Sequence, residues 1–281
     1  NIMRLSLSVR IAESVLNKKE ANRSLEQLAD LAVNIGYPAI CLRASQVGIH
    51  TPLENITAAD KVIRQRQLTV SMITGDFPIP ANNDHAPDAL RNITPYLDLA
   101  DLLNTKLIRI GMKNSADIVW AQRSADEARE RGVYLAHQSH TLSLFETVDE
   151  SVEVLKRVGR PNFGLIFEPA NLDLCGQNYG PDTLERFQPW LFNVYVQNHI
   201  KNPNGAIVLN TWIHGPAPYD PIRLQDSGGI NFPDLLNTLN KIGYDGFVTV
   251  HQAFAGLMEP EEAAQESFGY LVSIAKFQSS V

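Results

Sequence analysis

Short apolar runs recur along the chain, and each is followed by a longer segment in which apolar positions return every three to four residues. The short runs are rich in β-branched residues or leucine, which is typical of strands buried on both faces. Eight such runs begin near Leu5, Ala39, Leu68, Lys106, Val133, Phe163, Asn193 and Gly246. Most successive runs start about 30 residues apart, the length of one strand and one helix with short loops. The pattern therefore predicts strand–helix units repeated along the chain.

The segments between the runs carry helix start signals. Ser24 with Gln27, and Thr147 with Glu150, have the spacing of capping boxes, and Asn231 precedes another amphipathic segment. Eight strands alternating with helices favour a parallel sheet covered by helices. We interpret the chain, residues 1–281, as a single (β/α)8 TIM barrel domain.

The alternative is a doubly wound open sheet. Such sheets bind dinucleotides through a G-x-G-x-x-G turn after a strand, and none of the eight runs is followed by that pattern. The sequence therefore favours the closed barrel and predicts no nucleotide cofactor.

The last two runs are separated by roughly 50 residues, so the connection between them is longer than one helix requires. Its proline-rich part, residues 201–227, is predicted to be an extended loop on the barrel face where strand seven ends, and is a candidate lid. Trp212 and His214 lie in it and are candidates for substrate binding, since aromatic rings stack on sugar faces. Packing that holds the loop down is the alternative role of Trp212.

Composition narrows the class of protein. The chain of 281 residues carries a net charge of −7, so we expect no nucleic-acid partner and no membrane partner. Cys41 and Cys175 lie in or near apolar runs, which favours reduced thiols and a cytoplasmic protein. The first residues show no secretory leader, although the initial Asn leaves a removed leader open.

Candidate chemistry is found where the predicted strands end, because barrel active sites are built from the carboxyl ends of the strands. Gln138, Glu168, Gln197 and His251 come from four different strand ends and are placed to surround a divalent ion. The alternative is that they only solvate the barrel mouth. Side chains alternate along a strand, so if Gln138 points inward, His137 faces the helices.

Polar side chains around these strand ends are candidates for substrate binding. Three arginines lie at or near the ends of strands one, two and four, where a guanidinium group could hold a carboxylate, a phosphate or sugar hydroxyls. Ion pairing with a neighbouring acid is the alternative for each arginine. The candidates are Arg10, Arg43, Arg109, Asn171 and His199.

On these strand ends the sequence resembles the xylose isomerase-like TIM barrels, a superfamily of sugar and sugar-phosphate isomerases and epimerases. The similarity covers essentially the whole chain. Its clearest segments are GVYLAHQSH (132–140), FGLIFEPANL (163–172), VYVQNHI (194–200) and GGINFPDLLNTLNKIGYDGFVTVH (228–251). The last segment is the most specific match.

The resemblance implies a divalent metal held at four strand ends and two glutamates that move a proton between neighbouring sugar carbons. Matched position by position, the two glutamates are replaced by Gln138 and His251, the aspartate by Glu168 and the histidine by Gln197. Only Glu168 among them is formally charged, which weakens a hard-cation site, whereas imidazole suits softer ions. Zinc, manganese, nickel, iron and magnesium remain candidate cofactors.

The resemblance further implies proton transfer next to a carbonyl of a small carbohydrate. We expect an isomerase or epimerase in which His251 moves the proton, with Glu168 and His140 as further candidate acids or bases. A keto-sugar lyase or dehydratase, and a metal-free or non-catalytic carbohydrate-binding barrel, are the alternatives. A nuclease related to the apurinic endonucleases is disfavoured by the net charge of −7. Members of the family commonly form dimers or tetramers, so a homo-oligomer is a further expectation.

Overall fold

Eight parallel strands close into a barrel in the computed structural model, which describes residues 2–279. The barrel strands are β1 (Arg4–Ser8), β2 (Ala39–Arg43), β3 (Thr69–Thr74), β4 (Leu107–Ile110), β5 (Tyr134–Gln138), β6 (Phe163–Phe167), β7 (Leu191–Val196) and β11 (Phe247–Val250). Neighbours around the barrel follow the order β1-β11-β7-β6-β5-β4-β3-β2, and β2 pairs with β1 to close it. This arrangement confirms the predicted TIM barrel.

Helices connect the strands and cover the outside of the barrel. None of the helices within residues 2–279 is long and apolar enough to cross a membrane. The helices are α1 (Leu25–Ile35), α2 (Leu53–Gln65), α3 (Pro78–Ala81), α4 (Asp88–Arg91), α5 (Thr94–Leu102), α6 (Asp117–Glu130), α7 (Val148–Val158), α8 (Pro169–Leu174), α9 (Pro181–Phe187), α10 (Phe232–Lys241) and α11 (Pro260–Ile274).

Local sequence signals set several helix starts. Ser24 and Gln27 form both hydrogen bonds of a capping box at the start of α1. Asn231 accepts the Asp234 backbone N–H at the start of α10. Thr147 accepts the Glu150 backbone N–H before α7, so it caps that helix, but the return bond of a capping box does not form among the described residues.

The barrel interior follows the two-residue period of its strands. A small buried cluster fills it, formed by Cys41, Met72, Leu107, Ala136, Ile166 and Tyr195. Two positions further along, the same faces of β2, β4 and β5 carry Arg43, Arg109 and Gln138. The apolar layer thus forms the floor of a polar layer at the carboxyl ends of the strands.

The segment 201–227 differs from the predicted extended loop. With His199 and Ile200 it builds a three-stranded antiparallel sheet of β8 (His199–Lys201), β9 (Ile207–Thr211) and β10 (Gly215–Pro221), in the order β8-β10-β9. The Pro218 carbonyl oxygen accepts the Asn202 N–H, so the hydrogen-bonding side of Pro218 faces β8 and not β9. Pro216 has the same parity, so neither proline removes a hydrogen bond to β9. The prolines that favoured a loop are therefore compatible with a strand.

Candidate active site

A cavity of 430 Å³ lies at the carboxyl ends of the barrel strands. Because side chains alternate along each strand, the last inward position of several strands contributes one polar group to it. The strand ends place Arg43, Arg109, Gln138, Gln197 and His251 on its wall. Side chains of residues 15–19 and of β9 and β10, including Lys18, Val208 and Tyr219, cover the opposite side. The cavity is therefore enclosed by the barrel mouth and two covering segments.

His251 follows β11 and is 5% exposed, with its imidazole facing the cavity. Its Nδ1 lies 2.9 Å from the Ser8 Oγ, and its ring stacks on Tyr195 with centroids 3.8 Å apart. Burial, and then the charge of Arg43, lower the pKa of His251 well below its usual value. The imidazole is thus fixed by two contacts and neutral at pH 7.

His140 is the second imidazole on the cavity wall. Its Nδ1 donates to the Thr141 carbonyl oxygen over 2.8 Å, which leaves Nε2 as the acceptor nitrogen. Burial and the charge of Arg109 lower the pKa of His140. His137, in contrast, stacks on Phe145 away from the cavity and hydrogen-bonds the Gln138 carbonyl, as the predicted alternation requires.

Arg43 and Arg10 share a buried carboxylate. Glu13, which follows β1 and is 1% exposed, accepts the Arg43 Nε and Nη2 at 3.0 and 2.9 Å and Arg10 Nη1 at 3.4 Å. Ser45 Oγ also donates to Glu13 over 2.7 Å. The bidentate contact fixes the plane of the Arg43 guanidinium group on the cavity wall.

Arg109 has no such counter-ion. It is 3% exposed, forms no ion pair within residues 2–279, and its Nε and Nη1 lack hydrogen-bond partners there. Burial lowers the pKa of Arg109, and the nearby Tyr195 hydroxyl partly offsets this shift. The side chain points into the barrel, which decides between the two orientations that the sequence left open. The cavity wall therefore carries a positive charge that no ion pair within residues 2–279 neutralises.

Glu168 lies behind the wall rather than on it. It caps α8, accepting the Ala170 and Asn171 N–H groups at 3.2 and 3.0 Å, and Gln197 hydrogen-bonds its carboxyl group. The carboxyl is fully buried, and burial raises the pKa of Glu168 to about 8. It is therefore mainly protonated at neutral pH and anchors Gln197 and the start of α8.

The raised pKa of Glu168 predicts a pH-dependent stability difference between the wild type and Glu168→Gln. A folded-state pKa above the unfolded value stabilises the protein at low pH, and this contribution is lost as pH rises from about 4.5 to about 8. Gln removes one acceptor at every pH but does not titrate. Urea unfolding at pH 5.5, 7 and 8.5 should show the wild-type advantage shrinking by about 1 kcal/mol per pH unit. A constant difference would show that Glu168 stays ionised.

The four strand-end positions do not fit a divalent metal. Glu168 is occupied by backbone N–H groups and is mainly protonated at neutral pH, and Gln138 and Gln197 are neutral. The charged groups with the largest effect on the pKa of His251 are Arg43 and Arg109. The part of the chain from 2 to 279 contains no group of three or more His, Cys, Asp or Glu residues arranged to hold a metal. Cationic guanidinium groups around neutral ligands repel a cation. The donor set does not support the predicted metal site.

The remaining predicted residues divide into two groups. Arg10, Asn171 and His199 line the cavity, and the Nε2 of His199 lies 2.8 Å from Asp173. Trp212 and His214 lie at the far end of the β9–β10 hairpin. They are not on the wall of this cavity in the part of the chain that the structure describes. Trp212 is 52% exposed, and its backbone N–H donates to the carboxylate of the buried Glu146. The structure gives these two residues no place against a ligand in this cavity.

Several residues on the cavity wall or directly behind it were not identified from the sequence. Glu13 was detectable as an acid three residues after Arg10, the partner that a buried arginine needs. Tyr195 has the same strand parity as Gln197 and was detectable from the two-residue period. Lys18 carries no local signal, because it reaches the cavity only through the path of the segment after β1.

Solved structures share this barrel. The probable 3-DHS dehydratase AsbF from Bacillus anthracis matches with a TM-score of 0.72 at 17% identity, covering 96% of this chain and 99% of its own. D-allulose 3-epimerase from Methylomonas sp. matches with a TM-score of 0.68 at 13% identity, covering 97% and 98%. A Mycobacterium smegmatis protein in complex with magnesium matches with a TM-score of 0.69 at 15% identity, covering 97% of each chain. At these identities the likeness shows the fold alone.

The sequence also carries a family signature. No curated protein matches the chain. The family model described as xylose isomerase-like TIM barrel matches residues 29–274, from α1 to the end of α11. Together with the closed eight-stranded barrel, this match shows that the chain belongs to the xylose isomerase-like TIM barrel family.

Proposed function

We propose that this protein is an isomerase or epimerase that moves a proton next to the carbonyl of a small carbohydrate without a metal ion. The observation that carries the proposal is the pair of neutral imidazoles that line the same cavity. In both, Nδ1 is engaged, by Ser8 in His251 and by the Thr141 carbonyl in His140. Each ring is thereby oriented with Nε2 free of hydrogen bonds to the rest of residues 2–279, as a general base requires.

His251 is the better supported base. Its lowered pKa keeps it unprotonated at pH 7, and Arg43 is the charged group with the largest effect on it. An enediolate formed beside these residues would be anionic, so Arg43 would stabilise it, and the negative charge would favour the imidazolium form of His251. Glu13 supports this role because it fixes the Arg43 guanidinium group.

The reaction needs these residues and solvent protons. His251 Nε2 removes the proton from the carbon next to the carbonyl, the C–H electrons form a C=C bond, and the carbonyl π electrons move to its oxygen. In epimerisation, His140 first takes a solvent proton onto Nε2 and delivers it to the same carbon from the other face, the carbonyl re-forms, and His251 releases its proton to solvent. In isomerisation, the His251 imidazolium returns its proton to the former carbonyl carbon, while the hydroxyl on the neighbouring carbon passes its proton to the former carbonyl oxygen and becomes the new carbonyl.

The test is hydrogen exchange from solvent. Purified protein is incubated in D2O with a panel of aldoses, ketoses, their acids and their phosphates, with and without EDTA, and ¹H NMR follows the loss of the α-proton signal. We expect exchange with at least one member of the panel and no loss of rate in EDTA. Heat-unfolded protein is the control.

Two results would contradict the proposal. Binding of a sugar without exchange would favour a non-catalytic carbohydrate-binding barrel. Exchange that requires an added divalent metal would show that the strand-end residues hold a metal after all. Product spectra separate isomerisation and epimerisation from loss of water, the dehydratase alternative.

A further inference from the structure

We propose that Arg109 and Lys18 form a subsite for an oxyanion of the ligand, either a carboxylate or a phosphate, on the wall of the cavity that contains His251. This inference rests on the proposed function in taking this cavity as the substrate-binding site. It adds the chemical class of the substrate. It starts from Arg109 and Lys18, two cations on the cavity wall that form no ion pair within residues 2–279.

The barrel order separates two halves of the mouth. Ser8, Arg43 and His251 end the adjacent strands β1, β2 and β11, whereas Arg109 and Gln138 end the adjacent strands β4 and β5. A ligand that reaches both halves would place its reacting carbon at the first and a second group at the Arg109 side.

The charged residues on the cavity wall indicate that this second group of the ligand is an anion. No Asp or Glu lies on the cavity wall as the described residues define it, whereas Arg10, Lys18, Lys19, Arg43 and Arg109 do. Glu13, the buried acid behind the wall, is already bound by Arg43 and Arg10. The site is thus cationic in a protein whose net charge is −7, so the positive charge is local and not a property of the whole surface.

Burial of the Arg109 side chain without a carboxylate partner is unfavourable in free energy. A buried guanidinium group without a carboxylate carries a desolvation penalty, which the Tyr195 hydroxyl offsets only in part. Its planar fork matches the two oxygens of a carboxylate or phosphate. Lys18 also lies on the cavity wall, where its Nζ donates to the Pro80 carbonyl oxygen over 2.9 Å. Burial and the charges of the nearby arginines lower the pKa of Lys18, so a bound oxyanion would favour its ammonium form. Gln138, whose Oε1 is buried without a partner, provides an acceptor for a ligand hydroxyl.

The experiment measures binding of four probes by calorimetry and thermal shift: a hexose, its hexonate, its phosphate and inorganic phosphate. We expect at least one sugar anion to bind about tenfold or more tightly than the neutral hexose, and the difference to decrease at high ionic strength. A preference for the hexonate identifies a carboxylate ligand, and a preference for the hexose phosphate identifies a phosphate ligand.

Arg109→Met tests the subsite directly. Because it replaces an uncompensated buried charge with an apolar chain, we expect its Tm without ligand to equal or exceed that of the wild type, while the preference for anions is lost. Arg160→Met removes an arginine that pairs with Asp126 on the surface and should bind all probes like the wild type.

The inference is overturned if the neutral hexose binds as tightly as both sugar anions, or if Arg109→Met binds them unchanged. A large fall in Tm for Arg109→Met would also contradict it, since that result would assign Arg109 a structural role. Anion binding without α-proton exchange would contradict only the proposed function. Exchange of neutral sugars that is unaffected by Arg109→Met would contradict only the subsite.

Discussion

His251→Asn should lower the rate of α-proton exchange by about 10²- to 10⁴-fold, the usual contribution of a general base. Asn offers polar atoms of similar reach but cannot take a proton at neutral pH. The change removes the stacking on Tyr195 but keeps a polar atom at the position that contacts Ser8, so we expect only a modest fall in Tm. The measurement is the NMR exchange assay with whichever sugar the wild type turns over.

A matched histidine provides the control for this prediction. His85 is exposed and pairs with Asp88 on the surface, away from the cavity. His85→Asn should exchange the α-proton at the wild-type rate. If His251→Asn keeps activity within about threefold of wild type, His251 is not the base, and His140 becomes the residue to test next.

Glu13→Gln should lower the free energy of unfolding by about 3–5 kcal/mol, the cost of removing one partner from a buried ion pair. The Glu13 side chain is fully buried and the Arg43 side chain is 2% exposed, so water cannot replace the lost carboxylate. The guanidinium groups of Arg43 and Arg10 and the hydroxyl of Ser45 would all face a neutral amide. Urea unfolding at pH 7 measures the loss.

Two further variants separate the cause. Asp126→Asn breaks an arginine–carboxylate contact of similar length, 2.7 Å, on the surface, and should cost far less because water replaces it. The double variant Glu13→Gln with Arg43→Leu should be less destabilised than Glu13→Gln alone, since it removes a stranded charge. Equal losses for Glu13→Gln and Asp126→Asn would contradict the proposed importance of the buried pair.

The site could be predicted in part. Strand parity placed Gln138 inward and His137 outward, as observed. The resemblance to the family, however, suggested a metal at Gln138, Glu168, Gln197 and His251. Matching these positions to the family identifies the corresponding strand ends, but it does not identify the charged side chains that surround them in the folded protein. Arg109 and Lys18, which make that region cationic, come from segments far apart in the sequence.

The sequence by itself determined the architecture, because strand and helix periods and the capping signals are local. The eight strand starts, the cap at Ser24 and the parity of each strand follow from neighbouring residues. The tertiary structure alone decided the chemistry of the site. Whether Glu168 is ionised depends on how deeply it is buried, and whether Arg43 and Arg109 have a counter-ion depends on where Glu13 lies. Burial and charge separation are properties of the packed barrel, so no local pattern encodes them.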